Sequence, residues 1–127
     1  MVGENEGVNK REKGKVWEDF AAKHLEHKGY KVLFRNWTCR WGEIDLVCFD
    51  PSEKCVVFVE VKFRDGWFGD AYESVGFYKI RALKRSAGFF ILKEKPIWKD
   101  FRFDVVAITK VRGTVEVEHF PAVDQEW

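Results

Sequence analysis

The sequence predicts an α/β domain, with elements in the order α-β-β-β-α-β-β and a central mixed sheet flanked by helices. Three observations predict it. Two stretches repeat apolar residues at helical spacing, five runs carry strand-like patterning, and Gly, Pro, Asp and Ser punctuate the boundaries.

From about Gly14 to Lys28, the residues Trp17, Phe20, Ala21, His24 and Leu25 mark one helical stripe, and Gly29 stands where helices end. Tyr30 to Trp37 reads as the first strand and Glu43 to Phe49 as the second. Asp50-Pro51-Ser52-Glu53 is turn chemistry. Lys54 to Phe63 is apolar on both faces for much of its length, the mark of a central strand. A loop from Arg64 to Tyr72 holds Gly66 and Gly69. A second helix then starts between Ser74 and Tyr78 and runs to about Lys93. Its stripe is Ile80, Leu83, Ala87, Phe90 and Ile91, and Pro96 closes it. Phe101 to Thr109 is the fourth strand. Thr114 to Phe120 is the fifth, expected at an edge because Glu116 and Glu118 alternate with valines. We read residues 1–13 as a flexible N-terminal segment, 14–120 as one domain and 121–127 as a tail.

With 127 residues, 46% hydrophobic and 34% charged, the composition is that of one globular domain and not of a disordered chain. No apolar run approaches the ~18 residues of a membrane span, and Met1 to Lys13 lacks the apolar core of a signal peptide. Cys39, Cys48 and Cys55 are odd in number and show no zinc-ligand spacing with His24, His27 and His119. A cytoplasmic location without a membrane partner is therefore expected. Net charge is only +1, but its distribution is uneven: Lys79 to Lys95 is strongly basic and the chain beyond Thr114 is acidic. A basic helix can steer a polyanion, or it can be a solvated face.

The chemistry lies on the second and third strands. Side chains alternate faces, so Val56, Phe58, Glu60 and Lys62 share one face, as do Glu43, Asp45, Val47 and Phe49. A turn centred between Ser52 and Glu53 makes partner numbers sum to 105. Asp45 then faces Glu60, and Glu43 faces Lys62. Two carboxylates directly opposed are destabilising unless one holds a proton or a cation lies between them. Oxygen ligands of this kind suit Mg²⁺ or Mn²⁺. Glu18 lies ~20° from Leu25 around the first helix, at ~100° per residue, and so borders its apolar stripe. Such a cation polarises a phosphoryl oxygen and acidifies a water. Lys62 lies ~6.6 Å along the strand from Glu60, close enough to orient that water and offset developing charge.

The runs Gly14-Lys-Val-Trp-Glu18, Asn36-Trp37, Gly42-Glu-Ile-Asp-Leu46, Phe58-Val-Glu-Val-Lys62 and Arg102-Phe-Asp-Val-Val106 resemble the YraN-like family. That family is related to archaeal Holliday-junction resolvases within the restriction-endonuclease-like superfamily. The resemblance covers roughly Gly14 to Thr109. It implies a restriction-endonuclease-like core with Glu18, Asp45, Glu60 and Lys62 at the catalytic positions and Glu18, Asp45 and Glu60 on the metal. It also implies DNA as partner, including branched or damaged forms, and a homodimer. Val75-Gly76-Phe77 departs from the more polar, proline-containing lead that the family often shows before the second helix.

Glu43 and Asp104 are supporting candidates. Glu43 either backs the metal site or pairs with Lys62. Asp104 either supports Lys62 or a neighbouring arginine from behind the site, or forms a buried structural ion pair. Arg64, Lys79, Arg81 and Lys84 are candidates for phosphate contact, and Trp67 and Phe68 for stacking on bases. Trp37, Trp41 and Tyr72 read as aromatic cover for a thin core. The leading expectation is a metal-dependent endonuclease. The alternatives are a non-catalytic nucleic-acid-binding module on the same scaffold and an interaction protein with a structural charge cluster.

Overall fold

The computed structural model describes residues 6–66 and 76–126. Helix α1 (Glu6–His27) precedes strands β1 (Lys31–Cys39), β2 (Gly42–Asp50) and β3 (Cys55–Asp65). Helix α2 (Phe77–Glu94), strands β4 (Phe101–Val111) and β5 (Thr114–Phe120) and a 3-10 turn (Val123–Glu126) complete the chain. The five strands form one sheet in sequence order. β3 and β4 pair in parallel across α2, and the other neighbours are antiparallel. This mixed sheet with two helices, in the order α-β-β-β-α-β-β, is consistent with a restriction-endonuclease-like fold. β3 is central and β5 is at an edge, as the apolar and alternating patterns predict.

Alternation along β3 assigns the two faces. Val57 and Val59 pack with Ala21, Ala22 and Leu25 of α1, whereas Val56 and Phe58 pack with Leu83, Ala87 and Phe90 of α2. On α1 the buried stripe is Ala21, Ala22 and Leu25. Phe20 is 45% exposed and lies against Trp17 instead. Glu18 stands one turn before Ala22, at the i, i+3, i+4, i+7 positions that end on Leu25. The two alanines let α1 approach the sheet closely and carry Glu18 in with it. Gly29, at φ +95°, ends the helix: its N–H and that of Tyr30 bond back to Glu26 and Leu25.

α1 begins at Glu6, within the N-terminal segment; Lys, Arg and Glu are good helix formers and outweigh Gly7. Past β5, Val123 is 2% exposed and packs with Ile80 and Val105.

One guanidinium fastens the turn end of the sheet. Arg102 grips Asp104 with two bonds of 2.8 Å, reaches Asp50 at 2.9 Å and Glu53 at 3.1 Å, and donates to the Tyr30 hydroxyl at 2.5 Å. Asp104 is fully buried and also meets His119 Nε2 at 2.6 Å and the Ala122 N–H at 3.1 Å. Of the roles the sequence leaves open for Asp104, the buried structural ion pair is the one observed, with Arg102 as partner. Asp50 Oδ1 meanwhile accepts from the Ser52 and Glu53 N–H groups, so one carboxylate serves both the β2–β3 turn and the arginine. Burial alone would raise Asp50, but bonds from Ser52 and Arg102 overcome it and hold the carboxyl down at about 2.

Arg102 is 11% exposed. Removing one partner of a buried pair strands the other charges, so Arg102→Ala should cost about 3–5 kcal/mol of stability. Glu53 lies at the exposed rim of the same network, and Glu53→Ala should cost less than ~1 kcal/mol. Urea denaturation followed by tryptophan fluorescence compares the two. Similar losses would show that Arg102 is not the hub.

Candidate functional site

The opposite end of the β2–β3 hairpin is open. The observed pairs Asp50↔Cys55, Val47↔Phe58 and Leu46↔Val59 sum to 105, the register expected from the turn. The ladder stops at Leu46↔Val59, one pair before Asp45 would meet Glu60. In place of a backbone acceptor, the Asp45 carboxylate takes the Val61 N–H at 2.7 Å. A side chain thus completes β3's hydrogen bonding while β2 turns away.

Two further features mark the divergence. Ile44 joins the same core cluster as Val47, although regular alternation would put the two on opposite faces. On β1, Asn36 sits opposite this point with φ 51°, bracketed by the pairs Arg35↔Leu46 and Trp37↔Ile44. The Asn36 side chain lies near Glu18 of α1 and opposes the rise of its carboxyl. The irregularity of β1 opposite this point therefore also brings a polar group toward Glu18.

Ligand oxygens of Glu18, Glu43 and Asp45 lie within 4.8 Å of one another. Glu60 enters from β3 and is coupled by charge to Asp45 and Glu43. Glu43, Asp45 and Glu60 line a cleft of about 350 Å³ with Gly42 and with Lys79, Ala82 and Leu83 of α2. Gly42 has φ +153°, and a Cβ there would stand 3.0 Å from Ser86 Oγ, so the β1–β2 hairpin presses closely on α2.

The electrostatics are lopsided. Burial raises the Asp45 carboxyl, and the charges of Glu60, Glu18 and Glu43 raise it further against the pull of the Val61 N–H. Burial also raises Glu60, while Lys79 and Lys62 draw it down. Glu18 is raised by burial and by Glu43, with Asn36 opposing. Several acids share a partly dry space with too little positive charge.

Of the residues singled out in the sequence, Glu18 and Asp45 come together with Glu43, which was expected only to support them. Glu60 lies outside that close grouping but lines the cleft with Glu43 and Asp45 and acts on Asp45 by charge. Lys62 is half-buried on β3 and acts on Glu60. Lys79 lines the cleft with Nζ 3.7 Å from Glu60 Oε2, a pairing the sequence did not suggest. The available signal was its place four residues before Leu83, on the edge of the buried stripe. Arg64, Arg81 and Lys84 are exposed, and Lys84 pairs with Asp124 at 3.8 Å. Asp104 belongs to the Arg102 network. Trp67, Phe68, Gly69, Tyr72, Ser74 and Val75 lie outside the described residues; α2 begins at Phe77, after an extended Gly76 with no side-chain cap.

Residues 17–108 match the sequence profile of a family described as "Uncharacterised protein family UPF0102". A UPF0102 protein of Mycobacterium sp. (strain KMS) is 42% identical over 112 residues, 87% of this chain and 83% of that protein. One from Photobacterium profundum is 48% identical over 104 residues, covering 80% and 82%. Another from Herpetosiphon aurantiacus is 36% identical over 118 residues, covering 89% and 94%. No helix among the described residues is long and apolar enough to cross a membrane.

The raised Asp45 carboxyl makes a prediction about stability. A carboxyl whose folded pKa lies above its unfolded value keeps its proton longer in the folded chain. Its contribution is favourable at low pH and is lost as pH climbs from the ordinary carboxylate range to about 8. Asp45→Asn leaves an oxygen for the Val61 N–H and removes the charge. Without metal, it should raise the melting temperature at neutral pH by several degrees, at about 3–6 °C per kcal/mol for a chain this size. The gap should close near pH 4, an order-of-magnitude bound taken from the ordinary Asp value. A metal-free melting series over pH tests this; a variant less stable than the parent at neutral pH would contradict it.

Proposed function

The chain belongs to the UPF0102 family, and from the convergence of acids in its cleft we propose that it is a divalent-metal-dependent endonuclease hydrolysing phosphodiester bonds in DNA. The carrying observation is the close grouping of carboxylates from α1 and β2, with Glu60 of β3 lining the same cleft as Asp45 and adding to the like charge around it.

The donors fit a hard cation. All are carboxylate oxygens, which suit Mg²⁺ or Mn²⁺ and not soft metals. Two ligands across a Mg²⁺ stand ~4.2 Å apart, twice its ~2.1 Å bond. The 4.8 Å grouping of Glu18, Glu43 and Asp45 needs only side-chain adjustment to reach that span. Glu18, Glu43, Asp45 and Glu60 would hold the ion. When bound, it would polarise the scissile phosphoryl group and acidify a water.

The chain's own residues supply the remainder. Asp45, tied to the Val61 N–H, is held at one orientation. Lys79 and Lys62 bring positive charge to the Glu60 side of the cleft, where it offsets charge developing on a phosphate and orients a water. Arg64, Arg81 and Lys84, together with the aromatic residues at 67 and 68, are proposed to hold the strand. The resemblance to junction resolvases suggests branched or damaged DNA as substrate.

Two measurements test the reading. Mn²⁺ at about 100 times its dissociation constant should stabilise the folded chain by ~2.7 kcal/mol, and Glu60→Ala should abolish the increment. Linear, single-stranded, flapped and four-way DNA incubated with Mn²⁺ should include a cleaved form, and Asp45→Asn should slow its cleavage at least ~100-fold. Cleavage indifferent to that substitution would sink the assignment. Salt-sensitive binding without cleavage would favour a non-catalytic nucleic-acid-binding module on the same scaffold.

A further inference from the structure

Beside the cleft lies a pair of rings that the core does not use. Trp41, at the tip of the β1–β2 hairpin, is 49% exposed, and Phe89 on the outer side of α2 is 38% exposed. Their rings stack, with centroids 6.1 Å apart and planes 23° apart. The Arg40 guanidinium sits 5.3 Å from the Trp41 ring centre. Single exposed apolar residues are ordinary on a protein surface. A stacked pair carrying a cation is a shaped surface, and the cover expected of Trp41 from the sequence is not what it provides.

Its surroundings are chosen for a polyanion. On α2, Arg81, Arg85, Phe89 and Lys93 follow one another at four-residue spacing, and all four are exposed. Phe89 therefore stands in a row of positive side chains. The row also meets a difficulty left by the acidic cleft. Carboxylates repel phosphate, so flanking cations are needed to bring a strand in.

The same two elements build the cleft and the ring pair. Gly42 and Glu43, the next residues after Trp41, line the cleft, and so does Ala82 on the helix. Ala82 and Phe89 are seven residues apart, which places them within ~20° around the axis and ~10 Å along it. An unpaired, extended strand spaces its phosphates more widely than the ~3.4 Å per nucleotide of a stacked duplex, so that distance spans roughly a nucleotide or two. A strand with one phosphate at the cleft can lay an adjacent base against Trp41 and Phe89. In a paired duplex both faces of each internal base are covered by neighbours. Only an unpaired or terminal base offers its face to a protein ring.

The geometry points to Trp41 and Phe89, with Arg40, as a stacking platform for an unpaired base of a nucleic-acid strand entering the acidic cleft, so that preferred substrates carry unpaired bases beside the cut. This rests on the proposed reading that the cleft receives a phosphodiester backbone.

Fluorescence anisotropy in EDTA tests the platform apart from any cleavage. The probes are fluorescein-labelled oligodeoxynucleotides of one sequence, offered as single strand, as blunt duplex and as duplex with a single-stranded overhang. Trp41→Ala should weaken binding to the single strand and the overhang by about 5- to 100-fold, the scale of one base–ring stack. Binding to the blunt duplex should hardly change. Trp41→Phe keeps a ring and should retain most of the affinity, which separates stacking from misfolding. Equal losses on all three probes, or no loss on any, would overturn the inference. So would sedimentation showing that Trp41→Ala converts a dimer to a monomer, because the rings would then belong to a protein interface. If the binding pattern holds but Mn²⁺ produces no cleavage, the nuclease reading fails and the platform stands.

Discussion

The structure turns on one hydrogen bond, from the Val61 N–H to the Asp45 carboxylate. It lies where β2 and β3 cease to pair, and it makes that separation tolerable. An unmet N–H on a central strand costs free energy comparable to a lost hydrogen bond. A side chain meets it, and the backbone of β2 is released to twist away. At the other end of the hairpin, Arg102 binds Asp50 and holds the turn shut. A hairpin closed at its turn and open at its far end leaves a gap that neither strand can fill. α1 reaches it with Glu18 and α2 with Lys79.

The same bond explains why the carboxylates coexist. Had the ladder continued, Asp45 and Glu60 would stand directly opposed, the least favourable arrangement for like charges. With the strands diverged, Asp45 lies within 4.8 Å of Glu18 and Glu43 while Glu60 remains the strongest charge acting on it, and Glu60 takes a share of Lys79 and Lys62. The strain is not abolished. It is concentrated on Asp45, which is buried and acted on by Glu60, Glu18 and Glu43.

Much of this was legible in the sequence because few alternatives existed. Asp50-Pro51-Ser52-Glu53 permits one tight reversal, and a one-residue slip would send the valines of β3 to the wrong faces. The register followed, and with it the approach of Asp45 to Glu60. What was illegible depended on departures from regularity. Strict alternation cannot foresee Ile44 and Val47 in one cluster, or Asn36 with positive φ turning its side chain toward Glu18. Those departures drew Glu43 into the group. The pairing of Lys79 with Glu60 was not foreseen for a related reason: which acid a lysine of a basic helix faces depends on the strand packed against it. Phe20 fell outside the buried stripe because the paired alanines, small enough for close approach, set the rotation of α1.

The chain also contains its own comparison for the acidic cleft. Among the described residues, two groups of potential ligands have atoms within 4.8 Å of one another, Asp50 with Glu53 and Cys55, and Glu18 with Glu43 and Asp45. Both sit on the β2–β3 hairpin or against it. In the first, the Arg102 guanidinium lies among the acids and Asp50 is held down at about 2. In the second, the charges acting on Asp45 are negative and its carboxyl is driven up. The fold thus has the means to neutralise buried acids with a fixed cation and uses them where the purpose is to hold strands together. Placing an arginine at the cleft would relieve Asp45 in the same way, but would fill the space a diffusible ion and a phosphate need. The contrast between two clusters on one hairpin favours reading the cleft as a site for an exchangeable cation. The turn cluster, already carrying its arginine, is structure.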